Sequence, residues 1–260
     1  MHLRQLRKEL AEIFEIVRTQ CGQRLQLRGL LPQHPGVPRG SRLDYERLLA
    51  SPVRDARFVI LDTETTGFEP YGGDAIVQVA FIEYAGLEPT GRELTSLVHP
   101  GRPIPARSTA IHGISDEMVA DAPTAGELLD DILAFVDGAV LVGHHIAFDL
   151  RFLNRITRRH RLGELPNPCI DTAMLHLARG GTHDTIALDR VAACHGIAIE
   201  GRHDARGDAR ATGRIFAHLA PRFDDGRLTV GELLERVHPI AGLSPHHPAE
   251  AEVCTRSRSA

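Results

Sequence analysis

The chain should fold as an α/β domain, a mixed sheet with helices on its flanks. Two patterns point there. Three strand-like stretches follow one another from Arg57, and helical and strand-like stretches then alternate as far as Ala220. The expected division is a helical N-terminal extension and linker at 1–56, the main domain at 57–220 and a C-terminal extension at 221–260.

The elements follow in order. Leu3, Leu6, Leu10, Ile13, Phe14 and Val17 recur at three- and four-residue spacings, which predicts an amphipathic helix over Leu3–Val17. "LPQHPGVPRGS" reads as a linker and "LDYERLLAS" as a short helix. "RFVILDTET" and "AIVQVAFIEY" predict strands joined by the turn-rich "GFEPYGGD", and "GRELTSLVHP" a third, stopped by Pro100. "TAGELLDDILAFVDG" predicts a helix ended at Gly138. "AVLVGHH" is a short apolar strand, followed by a helix over "AFDLRFLNRITRRH" with Phe148, Phe152, Leu153 and Ile156 on one face. "PCIDTAMLHLAR", "TIALDRVAACHGI" and "ARGDARATGRIFAHLA" read mostly as helices, as does "TVGELLERV". The Pro/His/Ser/Arg tail beyond is expected to be disordered.

Composition is that of an ordinary globular protein, with 42% hydrophobic and 25% charged residues in a chain of 260. No apolar run reaches membrane-spanning length, so no membrane association is expected. The charged N-terminus lacks the apolar run and cleavage site of a secretory signal. Four cysteines without CxxC spacing argue against a zinc site and a disulfide framework, and fit a reducing cytoplasm. The net charge of −4 excludes little, but residues 1–57 carry eleven Lys/Arg against six Asp/Glu. Lys8 is the only lysine, a bias of composition more than a sign of phosphate binding.

"VILDTETTG" carries the chemistry. Asp62 and Glu64 lie two apart on a strand and therefore share a face. Like charges so close repel, and the pair makes sense if something positive sits between them. Asp149 follows the apolar strand "AVLVG" and opens a helix; Asp208 lies five residues after His203 in "GRHDARGDARATG". Those two converge only if His203 is on the loop and Asp208 in the first turns of the helix, since five helical steps would set them about 140° apart. Each residue has a plainer reading. Asp149 and Asp208 would each suit a helix N-terminus, His203 a surface, and Asp62 and Glu64 a solvated strand end. Together those readings require separate accidents at each strand–helix junction.

"DTETTG", "GHHIAFDLRFL" and "HDARGDA" resemble, in order and spacing, the three motifs of the DEDDh (DnaQ-like) superfamily of 3′–5′ exonucleases. That superfamily includes the proofreading epsilon subunit of bacterial DNA polymerase III, RNase T and oligoribonuclease. The resemblance covers Arg57 to about Ala220 and implies an RNase H-like sheet. It implies that Asp62, Glu64, Asp149 and Asp208 hold two divalent ions, Mg²⁺ or Mn²⁺, and that His203 is the general base. These five are the expected catalytic residues. It further implies that Thr65, Ile111, His112 and Phe148 contact the terminal nucleotide, although Phe148 would serve equally as core packing. One position departs, His145 standing where the family usually has asparagine. The expected activity is release of nucleoside 5′-monophosphates from single-stranded DNA or RNA 3′ ends, with DNA favoured. An exoribonuclease and a catalytically weak nucleic-acid-binding module are the alternatives. No segment resembles the clamp-binding peptide of the epsilon subunit, so a separately acting enzyme is expected, though a polymerase or clamp partner stays possible.

Overall fold

The computed structural model describes residues 45–223 and 227–237. The expected Leu3–Val17 helix, the linker and the C-terminal tail lie outside the described residues. At the centre is β1 (Arg57–Thr65), paired antiparallel with β2 (Ile76–Ala85), which pairs antiparallel with β3 (Glu88–Leu97). On its other side β1 runs parallel to β4 (Val140–Gly143), and β4 to β5 (Cys169–Asp171). The sheet order is therefore β3-β2-β1-β4-β5, the expected mixed sheet.

Nine α-helices surround it among the described residues: α1 (Tyr45–Ala50), α2 (Ala106–His112), α3 (Asp116–Val119), α4 (Leu129–Val136), α5 (Ala147–Arg159), α6 (Thr172–Ala178), α7 (Leu188–Cys194), α8 (Ala205–Leu219) and α9 (Val230–Val237). Two elements differ from expectation. "CID" is a strand where helix was predicted, because three residues are too few to show alternation and Asp171 already caps α6 through the Ala173 N–H. Helix α4 starts late because Thr124 and Glu127 exchange hydrogen bonds in a capping box one turn earlier (2.7–3.3 Å). Gly138 takes the left-handed φ of +69° just past the end of α4.

Alternation along β1 sorts the core into two layers. Phe58 and Ile60 face α6, α7 and α8, packing with Leu175, Val191, Phe216 and Leu219. Val59 and Leu61 face α4 and α5, packing with Ile132, Phe135, Leu150 and Phe152. The Phe58 and Phe216 rings lie 4.7 Å apart, fully buried. Replacing such a ring with alanine costs about 3–5 kcal/mol. Arg57 fastens α4 to the sheet, donating to the carbonyls of Phe135 and Asp137 (2.7 Å each) and to Glu83 (2.6 Å). It thereby satisfies carbonyls that a helix end leaves without partners.

Residues on both sides of 57–220 join the same body. Leu48 and Leu49 of α1 and Leu228, Val230, Leu233 and Val237 in and before α9 pack on the α8 side of the core. Val53 donates to the Leu228 carbonyl (2.9 Å) and Val230 to that of Ser51 (3.0 Å). No helix among the described residues is long and apolar enough to cross a membrane.

A row of histidines lies on the α8 side. His176 Nδ1 and His195 Nε2 are 3.0 Å apart, His176 Nε2 is 2.8 Å from Thr185 Oγ1, and the His195 and His218 rings are 5.1 Å apart. Burial lowers the pKa of all three; His195 falls to about 4, with His176, His218 and Arg222 adding to the effect. Folded values below the unfolded one mean stability present above about pH 6.5 and lost as pH falls toward 4. The thermal midpoint should drop through that window, and His195→Gln should flatten the drop. An equally steep drop in the variant would place the acid sensitivity elsewhere.

Candidate active site

The parity of β1 continues past its apolar residues and distributes the acids. Asp62 and Glu64 extend the face of Phe58 and Ile60, toward α8; Thr63 extends the opposite face, toward α5. Asp149, buried in the first turn of α5, accepts a hydrogen bond from Thr63 Oγ1 (2.7 Å). Asp208, buried in the first turn of α8, lies on the other side. Helices packed on opposite faces thus each bring one carboxylate to the end of the central strand.

His203 sits on the loop before α8 with a left-handed φ of +62°, and its N–H donates to Asp208 Oδ2 (3.2 Å). Gln78, opposite Glu64 in the β1–β2 register, fixes this loop. Its amide donates to Asp204 Oδ1 (2.7 Å), its carbonyl accepts from Ala205 N–H (3.0 Å), and Asp204 Oδ2 caps Gly207 N–H (3.0 Å). Glycine at 207 is forced by close approach: a Cβ there would lie 2.2 Å from the Gly201 carbonyl oxygen. Sequence reasoning missed Gln78 because a polar residue inside a strand carries no signature of its partner. Gln78→Ala should lower kcat about tenfold with KM nearly unchanged, by loosening His203 and Asp208 rather than by touching substrate. A KM rise with intact kcat would mean that Gln78 acts otherwise.

The remaining expected contacts surround this centre. Ser108 Oγ donates to the Thr66 carbonyl (2.8 Å) and so ties α2 to the end of β1. Ile111, at the C-terminal end of α2, is 53% exposed. His112 accepts from Ile114 N–H at Nδ1 (3.0 Å), its buried Nε2 has no hydrogen-bond partner, and burial lowers its pKa. Thr65 Oγ1 turns back to the Gly67 carbonyl (2.7 Å). Phe148 is half-buried: it packs on the α5 core and against Phe152 (5.1 Å), and its other side meets Phe68 edge-on (6.0 Å). Phe68, 61% exposed, was not singled out from sequence; an aromatic directly after the first acidic motif was the available signal.

Asp171 was also missed. Its buried carboxylate accepts from His145 N–H (3.1 Å) and Ala173 N–H (2.9 Å), and it holds the turn from which α5 starts. His145 has φ +57°, a left-handed conformation that asparagine and histidine tolerate better than most residues. The exchange of asparagine for histidine therefore preserves the backbone.

The carboxylates are held against their preference. Burial raises the Asp62 pKa well above its usual range, with Asp149, Asp208 and Glu64 adding and Arg202 opposing. Burial, then Asp208, pushes Glu64 up to about 8. Burial takes Asp149 to about 7 despite the Thr63 hydrogen bond, and raises Asp208 against the pull of Arg202 and His203. Asp208 Oδ1 is buried with no hydrogen-bond partner. A cluster of oxygen donors that resists ionisation, with an orphaned oxygen among them, fits a hard divalent cation. Glu64, His203 and Asp208 each offer a ligand atom, all within 4.8 Å of one another, the one such group among the described residues. Asp62 and Asp149 act on this group electrostatically but fall outside it, whereas His203, expected as a base, falls inside.

A five-stranded mixed sheet with an acid cluster at the end of its central strand is the arrangement of an RNase H-like DEDDh nuclease. The sequence profile of the RNase T exonuclease family matches residues 59–216, and the chain belongs to that family. It is 42% identical over 195 residues to a DNA polymerase III subunit epsilon-like protein of Rhodobacter capsulatus, covering 73% of this chain and 27% of that protein. It is 38% identical over 134 residues to the DNA polymerase III subunit epsilon of Rickettsia conorii, covering 52% and 54%. The chain thus matches about a quarter to a half of the length of these relatives. Among solved structures, Exonuclease X in complex with 5′ overhanging duplex DNA superposes with a TM-score of 0.53 at 25% identity, covering 71% of this chain and 99% of that one.

Proposed function

We propose that this chain is a metal-dependent 3′–5′ exonuclease that removes nucleoside 5′-monophosphates from single-stranded DNA and acts in the cytoplasm. One observation carries the reading: Glu64 at the end of β1, His203 before α8 and Asp208 in the first turn of α8 bring ligand atoms within 4.8 Å of one another, and the pKa values of both carboxylates are raised. The DNA-directed names of the relatives and the DNA-bound neighbour support DNA as substrate.

Asp62, Glu64, Asp149 and Asp208 would hold two divalent cations, Mg²⁺ or Mn²⁺. Such ions, when bound, acidify water and offset charge on the attacking and leaving oxygens. His203 takes the proton of the attacking water; burial, the largest cause, lowers its pKa, so the ring is neutral near pH 7 and can accept it. Water adds to the terminal phosphorus, the bond to the 3′ oxygen of the preceding nucleotide breaks, and that oxygen takes a proton from solvent water and leaves as the new 3′ hydroxyl. Thr65 and His112 flank the terminal sugar, while exposed Ile111 and the Phe68–Phe148 pair grip the last base without reading its identity.

The test is a 5′-labelled single strand with Mg²⁺ or Mn²⁺. Shortening one nucleotide at a time, 5′-mononucleotide release and arrest by EDTA are expected, with a matched RNA cut more slowly. Internal cuts, or no cleavage of either strand, would overturn the assignment.

A further inference from the structure

Arg202 sets a cation among the acids. Its Nη1 is paired with Asp208 Oδ2 and lies 3.4 Å from His203 Nδ1. These groups belong to two of the three residues whose donor atoms cluster as a possible cation site. Its charge is felt by Asp62 and Glu64 as well as by Asp208. The neighbouring arginines of α8 differ: Arg206 and Arg210 reach outward to Glu93 (2.6–3.0 Å).

We propose that Arg202 is an internal counterion of the acid cluster, which a divalent cation must displace in order to bind. The proposal rests on the reading of this cluster as a metal centre. A guanidinium and a divalent ion cannot both be accommodated on Asp208 Oδ2 and beside His203 Nδ1, because like charges at contact distance repel in a pocket that screens them poorly. Without the cation, Arg202 offsets the repulsion among the carboxylates and keeps them in place. With it, the side chain must turn outward, which its partial exposure permits, since 37% of the side chain is already open to solvent. Arg202 therefore contributes stability in one state and opposes cation affinity in the other.

The experiment is Mn²⁺ titration of the full chain by calorimetry, with thermal midpoints in EDTA and in Mn²⁺. Arg202→Gln should bind Mn²⁺ about tenfold more tightly than wild type, melt lower in EDTA, and gain more from Mn²⁺. Arg202→Lys, which keeps the charge without the planar fork, should fall between. Arg206→Gln removes an equal charge aimed at Glu93 and should stay within about twofold of wild type. Unchanged or weaker binding in Arg202→Gln would overturn the proposal and leave the metal centre standing. Equal tightening in Arg206→Gln would overturn it by assigning the effect to net charge. If neither wild type nor Arg202→Gln bound Mn²⁺, or if Asp208→Asn left binding intact, the metal-centre reading would fall and this proposal with it.

Discussion

Asp149→Asn should lower turnover by about 10³-fold or more, the scale on which a group that stabilises transition-state charge is lost. The amide is nearly isosteric, and its oxygen can still accept from Thr63, so the start of α5 should keep its place. What disappears is a negative charge that burial already makes costly, with a pKa near 7. In EDTA the variant should therefore melt no lower than wild type above pH 7. The sign follows from linkage: a carboxyl raised above its unfolded value contributes stability below the unfolded pKa and loses it as pH rises through the folded one. Thr63→Ala should cost far less turnover, because it disturbs orientation and leaves the charge. Single-turnover rates beside melting curves decide the matter. Activity within tenfold of wild type would mean that Asp149 lies outside the chemistry.

Much of this site was legible because its residues sit where two periodicities meet. Asp62 and Glu64 announce themselves against an apolar strand, and Asp149 stands at the change from period two to the helical repeat. The parity of β1 then dictates that Asp149 and Asp208 arrive from opposite sides, although no local pattern says that they meet. Groups that position others were illegible. Gln78 acts through two contacts with residues more than a hundred positions away, and Asp171 resembles any helix cap until the backbone N–H of His145 is seen to need it. Strand β5 escaped because its three residues hold no alternation to read. Arg202 escaped for a different reason. An arginine beside a histidine in a polar loop looks solvated, and only the fold turns it toward the carboxylates.

His203→Asn should reduce kcat by about 10²–10³-fold, in the range expected for loss of a positioned base. Asparagine is a better probe than alanine. The φ of +62° strains most side chains, whereas asparagine tolerates it and leaves the backbone N–H on Asp208. The loss is then of proton acceptance and not of loop shape, and KM should move only a few-fold. The pH profile carries the sign. Without the cation the His203 pKa is lowered from 6.5, first by burial and then by Arg202, with Asp208 and Asp189 opposing, and burial, the largest cause, persists when Arg202 turns outward. Wild-type kcat should therefore rise as pH climbs through a value below 6.5 and level off above it, and the asparagine variant should lack that rise. Should the rise persist at the same midpoint, the base is another group and His203 serves as a ligand, a role that its place beside Glu64 and Asp208 also permits. Mn²⁺ affinity separates the two roles: a ligand's loss weakens binding in proportion to the lost rate, whereas a base's loss leaves binding nearly unchanged.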